Sequence, residues 1–361
     1  MNPDFWRGKR VFITGHTGFK GSWLVLMLQA MGARIAGYAL PPPTEPSLYA
    51  LARLGDGIES TTGDIRDLEK LSATMSAFDP QVVLHLAAQS VVLRSYEDPV
   101  DNYSTNVMGT VHVLESVRRL RRPCVVVNVT TDKAYENKGW VWGYRETDRL
   151  GGHDPYSNSK ACAELVGQCY RDAFFPAGRL AEHGVAIGNA RAGNVIGGGD
   201  WTARQLVPET MAAFAAGRPV VLRHPGAVRP WQHVLDCLGG YLSLAEALAA
   251  DPARHVGDWN FGPMDTELPP VAALVEALAA AWGQQPAWER DKVVHAAEEM
   301  TLRLDVSKAA LQLGWTPRLP VREAIGWVAD WYRAFHGGAD ARTLTAGQVA
   351  RYAALRGGAA R

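Results

Sequence analysis

Arg10-Val11-Phe12-Ile13-Thr14-Gly15-His16-Thr17-Gly18-Phe19-Lys20-Gly21-Ser22 is the stretch on which the fold turns. Residues 10–14 read as a strand buried on both faces, and residues 22–31 read as a helix. Between them, glycines at three-residue spacing let the backbone turn tightly and come close to a pyrophosphate, which then faces the helix amino terminus. The rival reading, a P-loop, needs Gly-Lys-Ser/Thr, and here Lys20 precedes Gly21. An ordinary glycine-rich turn is the plain alternative. Position at the start of a β-α-β unit favours dinucleotide binding, with Gly15, His16, Thr17, Gly18, Phe19, Lys20 and Gly21 as the cradle.

Outward from this turn the same grammar repeats. Residues 34–38, 82–86, 124–129 and 185–192 read as strands, and 106–118 and 156–174 as helices. Strands that are apolar throughout imply burial on both faces, and repeated β-α-β order implies a Rossmann-type, doubly wound parallel sheet. Beyond Gly197, Pro, Gly and Trp become frequent. Helices are expected at 207–216, 234–249 and 271–282, with a short strand at 259–262. This texture predicts a smaller, discontinuous α/β substrate-binding lobe. The expected division is 1–192 plus about 229–262 for the dinucleotide domain, and about 193–228 plus 263–361 for the second lobe and tail. The tail, 337–361, is expected to be peripheral, with a modest helix over 345–355 and a frayed tip.

Composition excludes several classes. The chain has 361 residues, is 47% hydrophobic, and balances Lys+Arg 37 against Asp+Glu 37. Such neutrality gives no sign of a nucleic-acid or membrane-surface partner. No apolar run approaches the ~18 residues that span a bilayer. The amino terminus enters a strand almost at once, leaving no room for a signal peptide. Cys124, Cys162, Cys169 and Cys237 form no Cys-x-x-Cys pair and are expected to be buried, reduced thiols. A cytoplasmic protein is the expectation. His85, His153 and His233 are scattered and are expected to be neutral, satisfied histidines, with no metal bound.

A second stretch carries chemistry. Tyr156-Ser157-Asn158-Ser159-Lys160 sets a phenol and an ammonium one turn apart on a helix face. Free Tyr titrates near ~10, and a nearby cation favours its phenolate. With 11 Tyr and 8 Lys in the chain, chance supplies about a quarter of one such pair, so the spacing alone is weak. Just upstream, the strand at 124–129 runs into Thr130-Thr131-Asp132-Lys133. Gly63-Asp64-Ile65 offers a carboxylate that could read an adenine amino group, or else a solvated turn. Leu86, Ala87, Ala88 and Gln89 end a strand in small residues that admit a cofactor. The residues after the second strand, Tyr38-Ala39-Leu40, supply neither an acid for a ribose nor an Arg for a 2′-phosphate, leaving NAD and NADP open.

Taken in order, the glycine turn, Leu86-Ala87-Ala88-Gln89, Asn106-Val107-Met108-Gly109-Thr110 and Tyr156-x-x-x-Lys160 resemble the extended short-chain dehydrogenase/reductases. Thr130-Thr131-Asp132-Lys133, residues 156–165 and 190–201, Arg229-Pro230-Trp231-Gln232-His233-Val234 and Trp259-Asn260-Phe261-Gly262-Pro263 resemble the CDP-glucose 4,6-dehydratase branch. The resemblance runs nearly end to end. It implies a bound nicotinamide, normally NAD, a nucleotide-sugar substrate, at least a homodimer (or a homotetramer), and a place in deoxysugar biosynthesis of the lipopolysaccharide O-antigen kind. It also implies roles. Tyr156 would take the sugar O4 proton, Lys160 would lower the Tyr pKa and bond the cofactor ribose, and Thr131 would hold O4. Asp132 would protonate the departing 6-hydroxyl. Lys133 either removes the C5 proton or only stabilises the enolate, leaving base duty to Glu136 or a water. Gln89, Ser90, Asn194, Arg204 and Arg229 are the expected substrate contacts. One departure stands out: Arg204-Gln205-Leu206-Val207-Pro208-Glu209 sets the basic side chain one residue away from its usual place. On a helix that would rotate it by about 100°.

Overall fold

The computed structural model describes residues 1–264, 268–291 and 301–355. Seven parallel strands form the main sheet: β1 (Arg10–Thr14), β2 (Arg34–Ala39), β3 (Glu59–Thr62), β4 (Val82–His85), β5 (Cys124–Val129), β6 (Val185–Ala192) and β7 (Gly257–Phe261). Their order is β7-β6-β5-β4-β1-β2-β3. The chain winds outward in both directions from the β1–β4 neighbours. The loops after these two strands therefore part to opposite faces and open a crevice at the carboxyl ends.

Alternation fixes the two faces. Along β1, Val11 and Ile13 enter one core and Phe12 enters the other. Helices α1 (Phe19–Ala30), α2 (Leu68–Phe78), α3 (Gly109–Leu120), α4 (Pro155–Ala173) and α5 (Val234–Ala250) cover the sheet. α1 and α5 pack on the Val11 face, and α2, α3 and part of α4 on the Phe12 face. Each large apolar side chain so buried contributes about 1.5–3 kcal/mol, against about 1 kcal/mol net for a hydrogen bond. Packing, more than the ladder, holds this sheet.

Residues 106–118, expected as one helix, begin instead as a π-helical turn, Ser104–Met108, that runs into α3. Buried Asn106 on that turn accepts from the Gln89 N–H (2.8 Å), and donates to the Gln89 carbonyl (3.0 Å) and Ser159 Oγ (2.9 Å). The turn thus ties the loop after β4 to α4.

Three more helices follow: α6 (Val271–Trp282), α7 (Val321–His336) and α8 (Ala341–Ala354). α8 corrects the expectation of a peripheral tail. Its Tyr352 is buried and donates to Asp236 Oδ1 on α5 (2.8 Å), while Trp331 on α7 donates to its Thr345 (3.0 Å). The frayed tip expected beyond Leu355 lies outside the described residues. The cysteines need a correction as well. All four are free thiols, but only Cys124 and Cys237 are buried; Cys162 is half-buried and Cys169 exposed. Seven residues apart on α4, these two lie away from the face that Tyr156, Lys160 and Glu164 press onto the sheet. No helix among the described residues is long and apolar enough to cross a membrane.

Candidate active site

The crevice is built first from main chain. Gly15 has φ +77°, and a Cβ there would lie 2.7 Å from the Ala87 nitrogen. A Cβ on Gly21 would lie 2.2 Å from the Gly15 carbonyl oxygen. Both glycines are thus demanded by packing. Gly18 is different: its φ is −78° and the nearest atom to an added Cβ is 3.5 Å away. Nothing in the protein requires glycine there, whereas close approach of a pyrophosphate would. Gly18 also caps α1 without a side-chain bond, leaving the helix amino terminus to face that approach. The cradle fits a dinucleotide.

Around it the expected residues take varied parts. The His16 ring lies against Gly37, with Nε2 2.8 Å from Ser60 Oγ, and burial pushes its pKa down to about 4. Thr17 donates to the Leu40 carbonyl (2.9 Å), and Phe19 reaches toward Gly197. Asp64 is held by Arg66 (Nε to Oδ2, 2.9 Å), which keeps its carboxyl below the ordinary range. Its carbonyl accepts from Tyr38 Oη (3.1 Å), the residue near which an acid was sought. Ile65 is buried against Gly109. Leu86, Ala87 and Ala88 are half-buried at the crevice, where the Leu86 N–H donates to the Thr14 carbonyl (3.1 Å). Gln89 departs from expectation as a ligand contact. Its amide is engaged within its own loop, donating to the Val91 carbonyl (3.1 Å) and Asn102 (3.2 Å) and accepting from the Val91 N–H (2.6 Å). Ser90 beside it is exposed.

The chemical end is made of side chains. Thr131 opens a short 3-10 turn, Asp132–Ala134, accepting from the Lys133 N–H (3.3 Å) and donating to Asp132 Oδ1 (3.0 Å). Asp132 is buried, and its Oδ2 has no hydrogen-bond partner among the described residues. Burial raises its pKa, opposed by the charges of Lys133 and Arg229 and by the Thr131 bond. Tyr156 enters from the first turn of α4, which Pro155 starts and Asp154 caps through the Ser157 N–H (2.9 Å). Its phenol lies within the influence of the Thr131 hydroxyl. Lys160, one turn on, is buried and donates to the Val129 carbonyl (3.2 Å). Burial, then repulsion from Lys20, lowers its pKa to about 8, with Glu164 acting the other way. Burial is the largest influence on the Tyr156 pKa and raises it, with Thr131 opposing the rise. The Lys160 ammonium is turned to the β5 carbonyl.

Glu136, the alternative base, is engaged elsewhere: Lys138 (2.6 Å) and Arg149 (3.3 Å) pair with it, and Lys138 foremost holds it below the ordinary range. Lys133 is half-buried beside Asp132. Asn194 lies in the link between β6 and the short parallel pair Val195–Ile196 and Gln232–His233, and its carbonyl accepts from the Gln232 N–H (2.9 Å). The charge of Arg229 is felt at Asp132, and its Nη1 donates to the Val228 carbonyl (3.0 Å). Arg204 is not on a helix, so the argument from helical rotation fails. It sits before the helix Leu206–Ala215 with φ +64° and pairs with Glu97 (2.6 Å). His85 is buried and bonded to Thr14 (2.7 Å) and Thr110 (3.2 Å), and His153 is exposed. His233 accepts from the Leu235 N–H (3.2 Å), but its Nε2 has no partner, contrary to a fully satisfied ring. Among the described residues no three His, Cys, Asp or Glu side chains gather as metal ligands.

Sequence reasoning missed the floor of the site. Tyr241 and Cys237 on α5 are buried and influence one another electrostatically, though the Tyr241 hydroxyl has no hydrogen-bond partner among the described residues; Tyr241 also feels Tyr156 and Asp132, and Cys237 feels Lys20. Nothing local in the sequence marks them, because α5 arrives from far along the chain.

Comparison with known proteins agrees with this geometry. A family model described as GDP-mannose 4,6 dehydratase matches residues 12–326. The CDP-glucose 4,6-dehydratase of Salmonella typhimurium is 48% identical over 352 residues, 98% of this chain and 98% of that protein. Among solved structures, the dTDP-glucose 4,6-dehydratase of Bacillus anthracis in complex with NAD superposes with TM-score 0.75 at 22% identity, covering 90% of this chain and 97% of the other. The Thermus thermophilus UDP-glucose 4-epimerase complex with NAD gives TM-score 0.72 at 26% identity, covering 90% and 99%. The chain therefore belongs to the GDP-mannose 4,6 dehydratase family of the nucleotide-sugar epimerases and dehydratases.

Proposed function

We propose that this chain is an NAD-dependent hydro-lyase that converts CDP-D-glucose to CDP-4-dehydro-6-deoxy-D-glucose and water. The observation that carries the reaction type is Asp132: a buried carboxyl with one oxygen unpartnered among the described residues, the other accepting from Thr131, whose influence also reaches the Tyr156 phenol. A 4-epimerase has no use for such an acid beside its Tyr. The choice of the CDP sugar rests on the 48% identity over 98% of the chain. The main chain of Gly15–Gly21 and of Leu86–Ala88, with Lys160, would hold NAD.

Bound there, NAD would supply the hydride acceptor for oxidation at C4 and the hydride source for reduction at C6. The residues supply the rest. Tyr156 takes the O4 proton while Thr131 holds that oxygen. Because burial raises the phenol's pKa, its loss of a proton needs positive charge nearby, and Lys160, one turn along α4, is the chain's own candidate source. Asp132, whose pKa burial raises, gives its proton to the departing 6-hydroxyl, which leaves as water. Lys133, half-buried beside Asp132, either takes the C5 proton and returns one there once C6 is reduced, or steadies the enolate, since Glu136 is tied to Lys138 and Arg149. The net change is loss of one water.

We further infer a cytoplasmic homodimer. Val100, Met108, Leu165 and Phe174 are exposed apolar residues on or beside α3 and α4, a face suited to a second copy. The function is tested by incubating the protein with CDP-, dTDP-, UDP- and GDP-hexoses and NAD and weighing the products. A CDP-sugar lighter by one water is expected. A dehydrated sugar on another nucleotide alone would overturn the CDP assignment and leave the chemistry standing.

A further inference from the structure

Behind the candidate site lies a buried ion pair that the mechanism above does not use. Arg191 on β6 and Glu164 on α4 both have fully buried side chains. The Arg191 guanidinium grips the carboxylate by several bonds, including Nε to Oε1 (2.8 Å) and to Oε2 (2.7 Å). What matters is what else each partner holds. Glu164 Oε1 accepts from Thr130 Oγ1 (2.5 Å), the residue that enters the Thr131-Asp132-Lys133 turn. Arg191 donates to Tyr135 Oη (2.6 Å), the residue that leaves it, and Tyr135 in turn donates to Asn260 (2.8 Å). One ion pair thus grips the turn at both ends. Glu164 also stands on the helix of Tyr156 and Lys160, four residues beyond the lysine and on nearly the same face.

We propose that Arg191 and Glu164 are positioning residues that hold the elimination groups, Asp132 and Lys133, in register with the oxidation groups, Tyr156 and Lys160. The two sets lie on different elements, the turn after β5 and the helix α4. Both must act on one sugar ring, on adjacent carbons, without the substrate leaving. A displacement of 1 Å at such a site costs on the order of a hundredfold in rate. Buried ion pairs, by contrast, are weak sources of stability, and apolar pairs of similar shape often fold as well. The pair therefore fits a part in registration better than a part in stability.

This inference rests on the two-stage reaction above, and the experiment separates the two. The parent protein is first assayed on each nucleotide hexose, which tests the reaction alone. On the sugar it turns over, Thr130→Val and Tyr135→Phe each remove one tether and leave the ion pair. The double variant Glu164→Leu/Arg191→Met replaces the pair by apolar side chains. Thermal melting with NAD checks the fold, and absorbance of reduced nicotinamide is followed beside product. Thr130→Val is expected to lower kcat about tenfold at nearly unchanged KM. Reduced cofactor should accumulate because oxidation outruns elimination, and Thr130→Ser should restore both. Tyr135→Phe should act in the same direction. Folded single-tether variants that match the parent in kcat, KM and reduced cofactor overturn the proposal, whether or not the double variant folds. So does Thr130→Ser behaving like Thr130→Val.

Discussion

The two ends of the crevice are built by opposite means. At the glycine turn the work is done by main chain: two glycines pack against backbone, a third leaves room, and the nearest ring, His16, is neutral. At the Thr131-Asp132-Lys133 turn it is done by side chains removed from water and held by partners far along the chain, such as Glu164 and Arg191. A dinucleotide is the same in every enzyme that uses it, so backbone suffices to recognise it. Dehydration needs a carboxyl that keeps its proton at neutral pH, which only a shaped, buried environment supplies.

The largest test of that contrast is Asp132→Asn. It should cut formation of dehydrated sugar on the order of a hundred- to ten-thousandfold, with reduced nicotinamide building up in single turnover. An unchanged rate would remove Asp132 from the mechanism. At the other end, Gly15→Ala should be felt as folding, since φ +77° and the 2.7 Å approach to Ala87 both oppose it. A strained backbone alone costs on the order of 1–3 kcal/mol, so a clear drop in Tm is expected with or without cofactor. Gly18→Ala sharpens the point. With no packing conflict it should melt like the parent, yet bind NAD about tenfold more weakly by calorimetry, a loss of ~1.4 kcal/mol. The smallest effect concerns pH. Lys160, lowered to about 8, loses its proton as pH rises through that value, so activity should fall on the alkaline side. Burial is the chief cause and Lys20 the second, so Lys20→Met should move the alkaline limb of the rate profile to higher pH. A limb that stays in place would show that Lys160 does not govern it.

Legibility followed the same division. β5 and β6 could be read to the residue because every position is buried, and the glycine turn because its spacing is local. β3 was invisible: Glu59-Ser60-Thr61-Thr62 is a polar edge strand with nothing to bury. α2 buries only Leu71, Met75 and Phe78, a stripe too thin to stand out. The chemical residues were named through family resemblance, and spacing alone would have offered only Tyr156 and Lys160. Their surroundings were not legible at all. That Lys160 turns to the Val129 carbonyl, that the charge of Arg229 is felt at Asp132, and that Arg204 lies in a turn and pairs with Glu97 are outcomes of long-range packing. The tail misled for the same reason, since α8 is anchored by Asp236, more than a hundred residues upstream.

β7 carries a consequence for how the molecule is made. It completes the sheet beside β6, yet the chain reaches it only at Gly257, sixty-five residues after β6 ends at Ala192. On the ribosome, at about 5–20 residues per second, β6 therefore waits several seconds with one edge unpaired. An unpaired eight-residue edge of that kind, largely apolar but for Asn189 and Arg191, invites pairing with a neighbouring chain. Synthesis that pauses within this interval would lengthen the exposure, and the yield of properly assembled protein would fall with it.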